Sequence, residues 1–553
     1  MRNWLLVAGW LLAAPQAGAH GVGAVAPASG PAKIMTGLGQ LHHPVSTRNR
    51  LAQRFFDQGL TLVYAFNHQE AVRSFERAAQ LDPGLAMAHW GVALALGPNY
   101  NAEENAAGRP DAQAAIRRAR ALATAAPANE QAYIEALALR LADEPDIDPK
   151  KAARAYRDAM RRLMLQYPAD LDAATLFAEG AMVLRPWRLW NPDGAPAEGT
   201  DEISAALDSV LRRDPRHIGA NHFRVHVVDA SPYPERGLAS ARRLEHLAPA
   251  AGHLVHMAAH IYDRVGDHAG SARANAAAIA ADRAYIRARG EAGPYGGYYK
   301  HNLHFLAMAH TMQGRYRDAI AASRSFAREV AAEMPQMPEV VGYLPAPALI
   351  SVRFGKWREV LRLPQIPAAF SDLAAVRHFA RGVAFAEQGR LAEAEGERAH
   401  FADAVAAVGG TEMWGRNLAA DVFGVAQSIL DGHLALARNE RDAAIAAFRA
   451  AAAAEDALAF DEPAPWYVPA REPLGRVLLD NGDPAAAEVV FTDELKRRPK
   501  SGRALFGLAA ALKAQGKPSA AAQREFRRAW KSADSAPFLG TATRSPRSPQ
   551  STP

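Results

Sequence analysis

Apolar residues return every three or four positions from about Leu41 to Trp530, and no stretch alternates in the two-residue manner of a half-buried strand. The pattern predicts a chain that is helical nearly throughout. Proline and glycine punctuate it at a steady interval, with Pro215 and Pro249 lying 34 residues apart. Gly59, Ala71, Phe75, Ala78 and Pro83 make one such unit: small residues where two antiparallel helices cross, an aromatic side chain filling the gap to the next unit, and a proline after the second helix. Gly475, Gly482, Ala487, Phe491 and Pro499 repeat it near the far end. Gly266 and the run Gly314 to Ala319 mark further helix–turn–helix junctions. Gly389, Ala394 and Phe401, then Ala444 and Phe448, mark two more.

This spacing fits the tetratricopeptide (TPR) pattern, so the expected fold is all-α, with TPR-like helix–turn–helix repeats stacked into an α-solenoid. Repeats are expected over 41–215, 216–330 and 371–531, with a proline-containing connector over 331–370. Asn221 and Arg224 depart from the pattern, because they occupy positions that such repeats keep apolar. An insertion from Ile286 to Tyr299, rich in glycine, separates two of the central units and reads as a loop.

Composition agrees. Hydrophobic residues make up 49% of the 553-residue chain and aromatics only 8%, with abundant alanine, which suits closely packed helices. The net charge of +6 is spread thinly and forms no dense basic stripe, so nucleic acid is not an expected partner. Arg2, the apolar run Trp4 to Ala14 and Ala17-Gly18-Ala19 read as a signal peptide over 1–19, too short to span a bilayer. Export to a periplasm or the exterior is the expected localisation. Residues 20–40 read as a flexible lead-in, which cleavage would open with the potential copper chelator His20. Residues 532–553 read as a disordered tail. Cysteine is absent, so any metal must be held by His, carboxylate, Met or Tyr. No Walker A, GxGxxG or GxSxG signature is present, which leaves nucleotide, flavin and serine-hydrolase chemistry without support.

The mature chain resembles a family of exported bacterial TPR proteins. The resemblance is carried by Leu41-His42-His43-Pro44-Val45-Ser46-Thr47, by Tyr64-Ala65-Phe66-Asn67-His68 through Leu81-Asp82-Pro83, by Gly252-His253-Leu254-Val255-His256 through Arg264-Val265-Gly266, and by Tyr298-Tyr299-Lys300-His301-Asn302-Leu303-His304-Phe305. It implies the repeat architecture and leaves the chemistry open. It also implies that ligands meet the first helix of each repeat, on the concave wall, at slots three and four residues apart.

Eleven of the 19 histidines fall between His217 and His310. The helix register follows from proline and glycine alone: Pro215 and Pro249 start helices at Ile218 and Gly252, and Gly314 starts a third at Lys300. In that register the concave slots are Gly219, His222, His226 and Asp229; then His253, His256, His260 and Asp263; then His301, His304, Met308 and Thr311. Glu179 takes the corresponding slot one repeat earlier. Seven of these twelve slots are histidine, where a chain with 19 histidines in 553 residues predicts fewer than one.

Neutral imidazole is a preferred ligand of copper, zinc and iron, and a bound cation relieves the repulsion that crowded histidines suffer on protonation. His222, His226, His253, His256, His260, His301 and His304 are therefore the candidate metal ligands. Glu179, Asp229, Asp263 and Met308 are possible outer-sphere acceptors or additional ligands. Seven imidazoles exceed one tetrahedral shell, so one or two ions fit, with a metalloenzyme or a storage and delivery protein as outcomes. The alternative is a metal-free scaffold whose groove takes a protein or peptide. His42 and His43 read as turn residues, His378, His400 and His433 as isolated, and Tyr298 with Tyr299 as a lid or a plain loop. The repeats from Phe379 to Trp530 are expected to serve stability and shape more than chemistry.

Overall fold

The computed structural model describes residues 32–537 apart from 102–107, 143–147, 192, 291, 294, 332–344 and 368. The expected signal peptide, His20, most of the lead-in and of the connector's first half, and the tail beyond residue 537 lie outside the described residues. Among those described are 24 α-helices and a single antiparallel pair of two-residue strands, Met413–Trp414 with Asn417–Leu418. The chain is an all-α, TPR-like solenoid.

Each helix packs chiefly on its neighbours in sequence, as a stacked repeat requires. The pairing works because a large ring on one helix enters a notch cut by glycine on two others. Phe75, on the His68–Leu81 helix, is fully buried against Gly59 and Gly91, which lie on the Arg50–Tyr64 and Ala86–Leu96 helices. A Cβ on Gly59 would stand 2.7 Å from that ring, and one on Gly91 2.3 Å. Phe491 sits between Gly475 and Gly507 in the same way. The aromatic therefore locks one repeat to the next, and the apolar core runs along the superhelix through Phe56, Phe75, Phe177 and Phe223 and resumes in Phe379, Phe423, Phe448 and Phe491.

The winding brings distant repeats together. Tyr285 donates to Asn67, Asn101 to the Tyr298 hydroxyl, and Arg353 forms a buried ion pair with Glu472 of the later repeats. Two segments expected to be loose are packed. In the lead-in, Leu38 is buried, Met35 N–H donates to Gln58, and Ala250 N–H donates to the Gly37 carbonyl. At the start of the tail, Asp534 accepts from the backbone N–H groups of Tyr316 and Arg317, the unsatisfied donors at a helix start.

The central helices begin where their prolines place them, at Ile218–Asp229 and Gly252–Arg264. The third spans Gly296–Met312, one turn earlier than Lys300, and the preceding helix extends to Arg289. Much of the expected insertion is thus helical, and Tyr298 and Tyr299 are buried helix residues rather than a lid.

Candidate metal centre

The Ile218–Asp229 helix opens on His217, whose ring accepts from Ala220 N–H, and Asn221 within it donates to the Pro215 carbonyl. That bond explains a polar residue at an apolar position: the side chain fastens the repeat junction. His222 and His226 then stand one turn apart on the inner face, as i and i+4 must. The Gly252–Arg264 helix lies beside it and presents His253, His256 and His260, and the Gly296–Met312 helix presents His301.

Six of the seven predicted histidines gather into two triads. His222, His226 and His253 form one, and His256, His260 and His301 the other; within each, one ligand atom per residue lies within 4.8 Å of the rest. In the first, the Nε2 atoms of His226 and His253 stand 3.1 and 3.2 Å from His222 Nε2. In the second, His260 Nε2 is 2.7 Å from His256 Nε2. The triads are the same arrangement displaced by one repeat, a histidine pair on one helix and a single histidine from the next.

The outer ring nitrogens are held. His222 Nδ1 is 2.6 Å from the Tyr64 carbonyl oxygen, which only accepts, so Nδ1 carries the hydrogen and Nε2 of the neutral ring points a lone pair inward. Burial pushes the His222 pKa down to about 3, which keeps the ring neutral. His256 Nδ1 lies 2.7 Å from Asn275 Oδ1, an orientation fixed by Asn275 Nδ2 donating to the Ser271 carbonyl. His260 Nδ1 faces two carboxylates, Asp229 at 2.9 Å and Glu462 at 2.7 Å. Burial opposes charge on His260, but these two acids outweigh it and raise the ring to about 10. Burial and the neighbouring Asp229 raise Glu462, so one proton is kept within the acid pair. This backing of imidazole by carboxylate, amide and carbonyl orients a metal ligand and fixes its tautomer.

Each triad also has its own phenylalanine. The Phe66 ring centroid lies 4.6, 5.8 and 5.2 Å from those of His222, His226 and His253. Phe305 lies 5.2, 4.8 and 5.4 Å from those of His256, His260 and His301. Phe66 holds a left-handed backbone, φ 55°, at the turn after the first helix, where the chain doubles back onto the centre. Gly219 makes the approach possible, since a Cβ there would stand 2.6 Å from the Tyr64 ring.

The remaining candidates lie elsewhere. His304 stacks on Phe326 and faces Tyr467, with centroids 5.0 and 5.4 Å away, and joins neither triad. Glu179 is held by Arg140 in a buried ion pair at 3.0 Å. Asp263 pairs with His268 on its own repeat, and Met308 packs into the core of the later repeats. Asp229 does back a triad histidine, as its slot suggests. His378 and His400 are not isolated from one another: both lie by Glu397, on a partly exposed face. His43 is no turn residue, because it is buried against Asp172.

No family model matches the chain. No curated relative matches it either. Among solved structures, the human IFIT1 dimer with m7Gppp-AAAA aligns over 88% of this chain and 91% of its own, at 13% identity and a TM-score of 0.33. Yeast Tom70 aligns over 87% and 98%, at 10% identity and 0.31. The Cut9–Hcn1 hetero-tetramer of the APC/C aligns over 88% of this chain and 78% of its own, at 13% identity and a TM-score of 0.31. At such scores the architecture rests on the helix pairs and glycine notches themselves.

Sequence reasoning missed Phe66, Asn275, Phe305 and Glu462. Phe305 was within reach, four residues after His301 on the same helix face. Glu462 was not, because the repeat it comes from meets His260 only through the winding of the superhelix.

Proposed function

We propose that the chain is an exported TPR-type protein holding two transition-metal ions, one in each imidazole triad, drawn from copper, zinc and iron. The observation that carries this is the convergence of three Nε2 atoms on one point, with spacings of 3.1 and 3.2 Å about His222. Donors about 2.05 Å from a tetrahedral ion stand about 3.3 Å apart, so the first triad already has nearly the dimensions of a coordination shell. The closer His256–His260 pair is bridged by the proton that His260 carries, and an ion takes that proton's place, since binding releases protons from its ligands. Three ligands leave a fourth position open, which is how catalytic sites differ from structural ones.

A protein or peptide partner remains compatible with a solenoid of this type. With all seven histidines buried, such a partner would dock on another face.

Metal analysis of the full chain, purified without a polyhistidine tag, tests the reading. Two ions per chain are expected, with one lost in H222A/H226A and the other in H256A/H260A. Replacing the exposed His246 should change nothing. A chain that stays metal-free after incubation with Cu, Zn and Fe in turn would overturn the proposal.

A further inference from the structure

We infer that Asp229, Glu462 and the outer nitrogen of His260 form a third metal site, which takes a divalent cation of the manganese(II) class and clasps the later repeats to the central ones. The site is separate from the two triads and does not require that they be filled.

Three parts of the chain meet there. Asp229 ends the Ile218–Asp229 helix, His260 lies on the Gly252–Arg264 helix, and Glu462 comes from the segment that follows the Arg441–Ala457 helix. All three are at most 6% exposed, and one ligand atom of each lies within 4.8 Å of the other two. His260 Nδ1 stands 2.9 Å from Asp229 Oδ2 and 2.7 Å from Glu462 Oε2. Neighbouring donors about 2.1 Å from an octahedral ion stand about 3.0 Å apart, so both distances are close to those of a coordination shell.

Hydrogen bonding alone does not account for two acids at one nitrogen. Nδ1 carries a single hydrogen, and Asp229 Oδ2 accepts it. Asp229 Oδ1, Glu462 Oε1 and Glu462 Oε2 are buried with no hydrogen bond from any other side chain or backbone group. A proton shared by the two acids engages one oxygen of each and leaves the second Glu462 oxygen bare. Bare buried acceptors are rare, because each forfeits its hydration without return. A cation at the point the three groups face satisfies all of them.

The surroundings set its class. Arg264 lies near enough to favour the charged form of Asp229, but its guanidinium donates to the Ser231 carbonyl and to neither acid. Asp461 is turned away, accepting from the backbone N–H groups of Arg416 and Glu462. Two carboxylates favour the oxygen-seeking ions magnesium, calcium and manganese over copper, and the imidazole nitrogen selects manganese(II) among these three. Binding sends the Nδ1 hydrogen and the proton of the acid pair to solvent. Nε2 stays on the side of the second triad, 2.7 Å from His256 Nε2, so with both sites filled the His260 ring bridges two ions as an imidazolate.

The test titrates manganese(II) into the full chain and follows the ion by electron-spin resonance. One bound ion is expected, with a single imidazole nitrogen coupled to it in pulsed measurements and a raised melting temperature. H256A breaks the second triad but keeps His260 Nδ1, and should retain the ion. D229N/E462Q should weaken its binding at least about 10-fold. The nitrogen count in the wild type decides the matter if a variant misfolds. Three coupled imidazole nitrogens, or an ion lost in H256A and kept in D229N/E462Q, would place manganese in a triad and overturn the inference. A wild-type chain that binds no manganese would overturn it too, and would leave the triads standing. Triads that take no copper, zinc or iron would in turn leave this site standing.

Discussion

Asp172 accepts from three donors at once: His43 at 2.8 Å, His217 at 3.2 Å and the Tyr64 hydroxyl at 2.6 Å. It thereby fixes the residue whose carbonyl orients His222. Burial works against its charge, but hydrogen bonds from both imidazoles hold the Asp172 carboxyl far below the usual range. Burial likewise opposes charge on His43, and Asp172 more than compensates, so His43 is raised. The signs then follow. The Asp172 contribution is complete above about pH 4 and fades as pH falls further; the His43 contribution is complete below about pH 6.5 and fades as pH rises through the raised value. Urea titrations across pH should show stability declining on the alkaline side, and His43→Asn should flatten that limb. A second residue-scale expectation concerns Glu462→Gln. It weakens the backing of His260, so affinity at the second triad should fall by about 10- to 100-fold while the first is unchanged, as isothermal titration can resolve. The histidine spacing was legible in the chain because helical geometry alone carries i and i+4 to one face. His304 shared that spacing and still went astray, because Phe326 and Tyr467 offered its ring a packed aromatic site.

At the scale of elements, the lock between repeats is an aromatic ring in a glycine notch. Phe75→Ala empties a fully buried site between three helices, and about 3–5 kcal/mol of stability should be lost, measurable by denaturant unfolding. Gly219→Ala acts differently. It drives Tyr64 away from the Ile218–Asp229 helix, so it should lower affinity at the first triad with the second intact, a split that titration of the two sites would reveal. The helix starts at Ile218 and Gly252 could be read from Pro215 and Pro249 because proline closes one repeat and forces the next to begin anew. The start at Gly296 could not. Two successive glycines cost a helix about 1 kcal/mol each and argue for a loop, but Tyr298 and Tyr299 are buried there, and their packing outweighs that preference.

For the whole molecule, the winding matters more than any repeat. The expected open concave wall is an enclosed interior, with the first turn, the central helices and Glu462 from the later repeats meeting around the triads. Curvature accumulates from small rotations at each repeat, and no local pattern in the chain encodes it. The later repeats, expected to serve stability and shape more than chemistry, also contribute a side chain, Glu462, to the centre. Because that enclosure joins distant repeats, ion binding should stabilise the molecule as a unit: at about 100 times the dissociation constant it adds about 2.7 kcal/mol, seen as a higher melting temperature that a chelator reverses.

The displacement of one triad from the other by a single repeat makes the number of sites a matter of counting. The Ile218–Asp229 helix contributes a pair, the Gly252–Arg264 helix a leading histidine to that triad and a pair to the next, and the Gly296–Met312 helix a leading histidine alone, so three such helices enclose two triads. The Gly296–Met312 helix starts a further step with His304 and breaks it at Met308, and the next first helix, Ala346–Arg353, contains no histidine. The series therefore terminates by composition, while its periodicity runs on. Such a scaffold lengthens by duplication: copying one central repeat inserts another rung and, with it, another histidine triad.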